Sequence, residues 1–496
     1  MDSPTSASQL GFATPAGRWV LLATILGSAL AGIDATVINV ALPSLGASLD
    51  ADFTALQWTV SAYALTLASF ILLGGTLGDR FGRRRIFVIG VVWFAVASLA
   101  CGVAVNVEML IGARAVQGIG AALLTPGSLA ILQASFRPAD RARAIGAWSG
   151  LGGVATAIGP LLGGWLVDVA SWRWIFLINL PLAVVVVSVA QRHVPETRDP
   201  GATDARVDWV GGLLGALALA GLTFALLERS VGTTALVIGV TIGVMSAVLF
   251  AMRERSASYP VLPFAVFRSA QFSATNAVTF IVYGALGVLF FLLVVHLQVV
   301  AGFGPVAAGS SLLPITAIML LLSARSGALA ARIGPRLQMS AGPFVCAAGV
   351  LLLARIGAEA EYVGDVLPGV VIFGLGLAVL VAPLTATALA AAPAEHSGMA
   401  SGVNNAVART GGLLAVAAVP VIVGLAAEGY SDPAGFADGF RHACWIAAGL
   451  LAAGGVLAAA TIRNDVLSDD EPSHAISHCG VGAPPLATSG DDVGRG

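Results

Sequence analysis

Long apolar runs separated by short polar breaks make up most of this chain. Fourteen runs stand out, over 18–40, 57–77, 86–105, 108–133, 143–167, 174–190, 207–227, 232–252, 271–300, 305–330, 337–356, 364–391, 397–424 and 437–461. Each comes close to the ~20 apolar residues a helix needs to cross a hydrocarbon core ~30 Å thick. The runs are too long and too uniform for alternating barrel strands, and backbone groups in lipid must be satisfied within the segment. All fourteen are therefore expected to be transmembrane helices.

Arginine placement tests that pattern. With the N-terminus in the cytoplasm, 18 arginines fall on the cytoplasmic side and only Arg173, Arg229, Arg355 and Arg441 outside, a strong positive-inside bias. Arg114, Arg325 and Arg409 fall inside spans. An even number of helices puts both termini in the cytoplasm. The stretch up to Gly17 is polar without positive charge, unlike a cleavable signal peptide. The tail beyond Arg463 is rich in Ser, Asp, Gly and Pro and is expected to be disordered.

Composition narrows the function. Of 496 residues 57% are hydrophobic and 10% charged, with a mean hydropathy of +0.90. Soluble proteins carry about 25% charged residues, so a water-soluble enzyme is excluded. A net charge of −2 gives no case for nucleic acid. All 25 basic residues are arginine, which excludes a GxxxxGK(S/T) phosphate loop, an ATP-driven pump built on it, and lysine Schiff-base chemistry. Cys101, Cys346, Cys444 and Cys479 lie far apart without a CxxC pair, so neither a disulfide frame nor a metal site is expected. No cofactor is indicated.

An internal repeat locates two halves. The loop after the second run reads Gly75-Thr-Leu77-Gly-Asp79-Arg80-Phe-Gly82-Arg83-Arg84, and that after the tenth Gly327-Ala-Leu329-Ala-Ala331-Arg332-Ile-Gly334-Pro335-Arg336. Gly75 and Gly327, like Gly82 and Gly334, are 252 residues apart, while Ala331 stands where the first copy has Asp79. Eight spans separate the loops where a six-plus-six duplication gives six, so two helices are inserted between the halves. The expected organisation is a cytoplasmic segment 1–17, a six-helix bundle 18–190, a loop 191–206, two linker helices 207–252, a loop 253–270, a second six-helix bundle 271–461 and a tail 462–496. Parallel repeats of this kind place a substrate site near the midplane between halves that rock.

These motifs identify a resemblance. GxLxDRxGRR at Gly75–Arg84, with Leu110-x-x-x-Arg114-x-x-Gln117-Gly118-x-Gly120 in the fourth run, resembles the major facilitator superfamily. Asp34-Ala-Thr-Val-Ile-Asn39-Val-Ala-Leu-Pro43 and Trp172-Arg173-Trp174-Ile-Phe-Leu-Ile-Asn179-Leu-Pro181 resemble its fourteen-span drug:proton antiporter branch. Asp208-Trp209 and Ser401-Gly402…Arg409-x-Gly411-Gly412 fit the same branch. The resemblance runs from about Arg18 to Arg463 and implies an all-α major facilitator fold of two six-helix bundles plus two extra helices.

Asp34 is the one acidic residue deep inside a predicted span. A carboxylate at the bilayer centre costs ~2.5–3.5 kcal/mol on insertion scales and normally faces the protein interior or a water-filled cavity. It either anchors helix packing or carries a proton, because desolvation disfavours its charge and a nearby cation favours it. Arg114 is the natural partner, and the resemblance implicates it in proton coupling; alone it reads equally as a hub for backbone carbonyls. For Asp79, Arg80, Gly82, Arg83 and Arg84 with Gly75, topology and a tight turn compete with the conformational latch that the resemblance implies. Gly159, Pro160, Gly163 and Gly164 form a small-residue, kink-prone stretch suited to close packing, and they resemble the family's antiporter motif. Asn39, Trp58, Tyr63, Gln117, Asn276, Tyr283, Asn404 and Arg409 are candidates to line a substrate cavity, against interface-anchoring and helix-bonding roles. Arg325 reads as a buried cation that snorkels or favours an anionic or zwitterionic substrate.

The expected protein is a proton-coupled antiporter of the cell membrane, working as a monomer and exporting small amphipathic compounds such as drugs. A dedicated exporter of one self-made metabolite and a non-transporting sensor are the rival readings. No HExxH, GxSxG, HxxxxD or Cys/His cluster supports an embedded enzyme.

Overall fold

The computed structural model describes residues 10–199, 207–228, 232–392, 397–425 and 432–467. The polar ends, including Arg495 and Cys479, and the loop positions Arg206 and Arg229 lie outside the described residues. Fourteen helices among the described residues are long and apolar enough to cross a membrane. They are α1 Pro15–Leu49, α2 Phe53–Phe81, α3 Arg83–Gly102, α4 Val107–Ser135, α5 Pro138–Val169, α6 Trp174–His193, α7 Trp209–Leu227, α8 Thr233–Ser256, α9 Ala270–Val299, α10 Pro305–Ile333, α11 Arg336–Leu353, α12 Tyr362–Ala390, α13 Ser397–Ile422 and α14 Pro433–Thr461. The chain is a multi-pass membrane protein of all-α class.

The polar breaks are helix caps. Thr14 accepts from the Gly17 N–H, Asp52 from Ala55, Asn106 from Met109 and Ser269 from Phe272, each satisfying an N–H that has no partner within its helix. The first half packs α1 on α5, α2 on α4 and α3 on α4, and the second packs α9 on α13 and α14, and α11 on α12 and α14. Closeness depends on missing side chains: a Cβ at Gly74 would stand 2.2 Å from the Ala122 carbonyl oxygen, so α2 and α4 touch backbone to backbone.

The inserted pair is not a detached linker. α8 lies against α7, and α7 packs on both α2 and α13, across one seam between the halves. At one end of α7 the Glu228 carboxylate accepts from Trp58 Nε1 of α2 at 2.7 Å. At the other, Asp208 caps α7 and holds Arg253 of α8 at 3.2 Å.

Two faces follow from the helix directions: the N-terminal face, where α1 begins, and the far face. At the far face the halves are joined. Gln298 of α9 donates to the Val40 carbonyl of α1 at 3.0 Å, Gln57 of α2 to the Val416 carbonyl of α13 at 2.9 Å, and the Phe53 ring meets Phe291 at a tilt and Phe436 edge-on. Toward the N-terminal face, Cβ atoms at Gly146, Gly150, Gly152 and Gly153 of α5 would meet nothing within 4 Å, and α4 and α12 share no packed interface.

The repeat survives as geometry even where its residues differ. Gly82 (φ +114°) and Gly334 (φ +86°) both occupy backbone that favours glycine. In the first half Glu196, after α6, accepts from the Arg84 N–H at 3.1 Å, while Arg84 Nη1 donates to the Val194 carbonyl at 3.0 Å. In the second, Asn464, after α14, accepts from the Arg336 N–H at 3.2 Å, while Arg336 Nε donates to the Ala459 carbonyl at 2.8 Å. The start of the segment read as a disordered tail is thus folded, with Asn464–Leu467 forming one helical turn. Gly82→Ala and Gly334→Ala are each expected to destabilise the protein by about 1–3 kcal/mol. Thermal unfolding in detergent reads this as a lowered midpoint, and an unchanged midpoint in both contradicts it.

Candidate functional site

Asp34 sits near the middle of α1, and Arg114 and Gln117 are three residues apart on α4, which puts them on one helix face. The structure brings all three together. Arg114 Nη1 donates to Asp34 Oδ2 at 2.5 Å, and both side chains have zero exposure. Gln117 Nε2 donates to Asp34 Oδ1 at 2.8 Å and to Ser98 Oγ at 2.7 Å, and its Oε1 accepts from Arg114 Nη1 at 2.6 Å. Asn179 Nδ2, on α6, donates to Asp34 Oδ1 and to Ser98 Oγ, both at 3.2 Å. The carboxylate therefore accepts from three side chains on two helices.

Arg114 is held on its other sides as well. Its Nε donates to the Thr59 carbonyl of α2 at 3.2 Å, and its guanidinium carbon lies 4.3 Å from the Tyr63 ring centroid and 5.7 Å from that of Phe176. Tyr63 donates in turn to the Ala31 carbonyl at 3.3 Å. Removing one partner of a buried pair is destabilising by about 3–5 kcal/mol, because an uncompensated charge is left behind.

A second polar strip runs along α9 and α13. Asn404 Nδ2 donates to Asn276 Oδ1 at 3.1 Å and to Thr279 Oγ1 at 3.0 Å. Tyr283 and Arg409 continue it, both half-buried near the midpoints of their helices. Asn39 is half-buried on α1 with a buried Oδ1 that lacks a partner. Trp58 does not join these groups: its indole is turned to Glu228 and Phe224 of α7.

The Gly159, Pro160, Gly163 and Gly164 stretch forms the far-face junction. Gly159 and Gly163 face Thr36 and Val37 of α1, and Thr36 Oγ1 donates to the Thr156 carbonyl at 2.9 Å. A Cβ at Gly164 would stand 2.4 Å from the Pro305 carbonyl oxygen, and one at Gly309 2.2 Å from that of Pro160, so α5 and α10 meet across the halves without side chains.

The loop motif pairs inside the first half. Asp79 and Arg83 form an ion pair at 2.8 Å, Arg84 lies 3.6 Å from Glu196, and Arg80 stacks on Phe81. Gly75 lies 3.7 Å, by its built Cβ, from Pro126. None of the ion pairs among the described residues spans the two halves here. Arg325, read as buried, is exposed on α10. A groove of about 680 Å³ between α3 and α4, lined by Val92, Trp93, Val96 and Met109, is almost entirely apolar and outward-facing. It holds nothing that could orient a polar group.

Ser98, Asn179 and the Thr59 carbonyl were not singled out from the sequence as site groups. Asn179 had a signal, as a polar member of the Trp172–Pro181 motif. Ser98 stands alone in an apolar run, and a backbone carbonyl leaves no trace in sequence.

Two similar helical halves in a membrane, with buried polar groups gathered near their middle, define the class of secondary transporters. Residues 24–416 match the Major Facilitator Superfamily, and the chain belongs to it. It is 36% identical over 403 residues to the multidrug resistance protein Stp of Mycobacterium tuberculosis, covering 80% of this chain and 74% of that one. With the methylenomycin A resistance protein of Bacillus subtilis identity is 36% over 82% of this chain and 88% of that one. With the tetracenomycin C resistance and export protein of Streptomyces glaucescens it is 33%, over 85% and 79%. Among solved structures, an inward-facing, unoccupied bacterial homolog of the human lysosomal transporter Spinster superposes with a TM-score of 0.65 at 18% identity, covering 91% of this chain and 98% of that one. A D-xylose–proton symporter gives 0.63 at 14%, over 90% and 98%.

Gln117→Leu is expected to lower the unfolding midpoint more than Asn179→Leu, because Gln117 touches both ions and Asn179 only the carboxylate. A hydrogen bond to a charged group contributes about 1.5–3 kcal/mol. Equal or reversed effects in thermal unfolding contradict that ordering.

Proposed function

We propose that this chain is a proton-coupled antiporter of the cell membrane, with both termini cytoplasmic, that exports small amphipathic compounds by alternating access. The observation that carries this reading is the fully buried Asp34–Arg114 pair inside one half of a two-half transporter fold. With the N-terminus in the cytoplasm, the N-terminal face opens inward and the structure stands in the substrate-loading state.

The coupling follows from charge. With Asp34 ionised, the guanidinium is matched and α1, α4 and α6 are tied together. A proton on Asp34 removes the negative charge, leaves Arg114 uncompensated in a low-dielectric site and converts an acceptor into a donor. The network must then rearrange, and a packing change at α1 is felt at once by α5 and the far-face junction. Asp34 is thus the proton carrier, Arg114 the group that senses its charge, and Gln117 and Asn179 position the carboxylate.

Gly159, Pro160, Gly163 and Gly164 serve as the closing surface that parts when the outward state forms. Asp79 with Arg83, and Arg84 with Glu196, hold the N-terminal loop of the first half rigid, and we assign these residues the conformational switch. A proton supplies ~2.3 kcal/mol per 100 mV, enough for about a fortyfold gradient when ~1.4 kcal/mol is tenfold. The gradient is the sole driving force in this scheme, no cofactor or bond-making chemistry enters, and one chain contains every element used.

A dedicated exporter of a single compound is the second reading, favoured by relatives named for one antibiotic each, methylenomycin A and tetracenomycin C. A substrate panel separates the two.

In energised inside-out vesicles the native chain is expected to accumulate tetracenomycin C or another amphipathic drug, and a protonophore to stop it. Asp34→Asn is expected to abolish gradient-driven uptake and Arg114→Ala to do the same. Uptake that survives Asp34→Asn and still collapses with the protonophore would falsify the proton site.

A further inference from the structure

We propose that Arg409 is an anion-recognition point, so that the compounds this chain moves carry a carboxylate or an equally acidic oxygen. The proposal rests on the export reading and names its substrate class.

The two arginines deep in the halves differ in how they are satisfied. Arg114 has a carboxylate, an amide oxygen and a backbone carbonyl, although its Nη2 is buried without an acceptor. Arg409 has no acidic partner and no hydrogen bond to any described residue, and its Nε is buried without an acceptor. A charge in such a place is normally paired or faces a polar cavity.

Its position is fixed by packing. Gln57 donates to Val416 on one side, and Leu72 lies against Gly402 on the other, which sets an antiparallel register between α2 and α13. Arg409 stands halfway between Gly402 and Val416, and Ala64 and Leu65 halfway between Gln57 and Leu72, next to Tyr63. Tyr283 arrives from α9, where its carbonyl lies 3.6 Å from a Cβ built at Gly412, one turn from Arg409. Arg409 is close enough to act electrostatically on both tyrosines. Arg409 therefore stands at the junction of the halves, where α13 packs on α2 and α9, with the Asn276–Asn404 strip on the same helices.

Charge then selects the ligand. Asp34 and Arg114 cancel, which leaves Arg409 as an excess positive charge at mid-depth between the halves. A cation gains nothing there and is repelled. A carboxylate gains a two-pronged partner, since the planar guanidinium matches two oxygens. Exchanging an exported monoanion for an entering proton moves two elementary charges per cycle, where a neutral compound moves one.

The test uses the full chain, with carboxyfluorescein as the anionic probe and ethidium as the cationic one. Binding is followed by fluorescence anisotropy of the purified protein in detergent, and export in energised inside-out vesicles. The native chain is expected to bind carboxyfluorescein in preference to ethidium. Arg409→Gln should weaken the anion by about tenfold or more while sparing or improving ethidium, and Arg409→Lys should keep most anion binding. Retained ethidium binding shows that Arg409→Gln is folded; if it is not, the native preference and Arg409→Lys decide. A native preference for ethidium, an equal loss of both probes, or anion binding untouched by Arg409→Gln overturns the proposal. Arg409-dependent binding without gradient-driven export sinks the export reading and leaves the anion site standing. Export that ignores the charge at position 409 does the reverse.

Discussion

A carboxylate and a guanidinium with no exposure to solvent, placed inside a membrane protein, constrain everything around them. Neither charge survives there alone, so Asp34 and Arg114 must meet, and every remaining polar atom of the carboxylate must find a donor. Gln117 and Asn179 supply those donors, Ser98 holds both amides in orientation, and Tyr63 and Phe176 cover the guanidinium. These contacts tie α1, α2, α3, α4 and α6 together around one ion pair. Changing the charge of one carboxyl oxygen therefore acts on most of a half.

Mechanical consequence follows from what α1 touches. It packs on α5 through Gly159 and Gly163, and α5 meets α10 through Gly164, Pro160 and Gly309. Glycine contacts of this kind lose little when parted, since they bury backbone rather than large side chains, yet they permit only one close geometry. That combination suits a junction which must open and reclose. The inserted α7 adds a constraint along one side, where it bridges α2 and α13 over the seam. Rocking of the halves must either carry α7 along or slide beneath it, and the Trp58–Glu228 bond fixes one end of it to the first half.

Much of this was legible from hydropathy and motif spacing. The fourteen spans followed from apolar length, because lipid leaves a chain few alternatives, and the expectation of two inserted helices from the 252-residue spacing of the repeat; Asp34 and Arg114 stood out as buried charges, but no spacing showed that they meet. Side-chain direction was less legible. Trp58 has the composition of a cavity residue, but its face of α2 is turned to α7. Arg325 was read as buried from its place in an apolar run, but lies on an uncovered face of α10. Asn464 matches Glu196 by position and not by residue type, so the second half's cap was invisible as a motif. Ser98 carries no signal in an apolar stretch, and its role emerges only once Gln117 and Asn179 converge on it.

In the proposed mechanism the charge on Asp34 sets which face of the molecule is open. Spin labels at Gly146→Cys on α5 and Leu329→Cys on α10, in a chain with its native cysteines replaced, report the separation of the halves near the N-terminal face by pulsed electron resonance. The expected distance distribution shifts as pH is lowered, and in Asp34→Asn it stays in the low-pH form at every pH. A pH-dependent shift that persists unchanged in Asp34→Asn would contradict it.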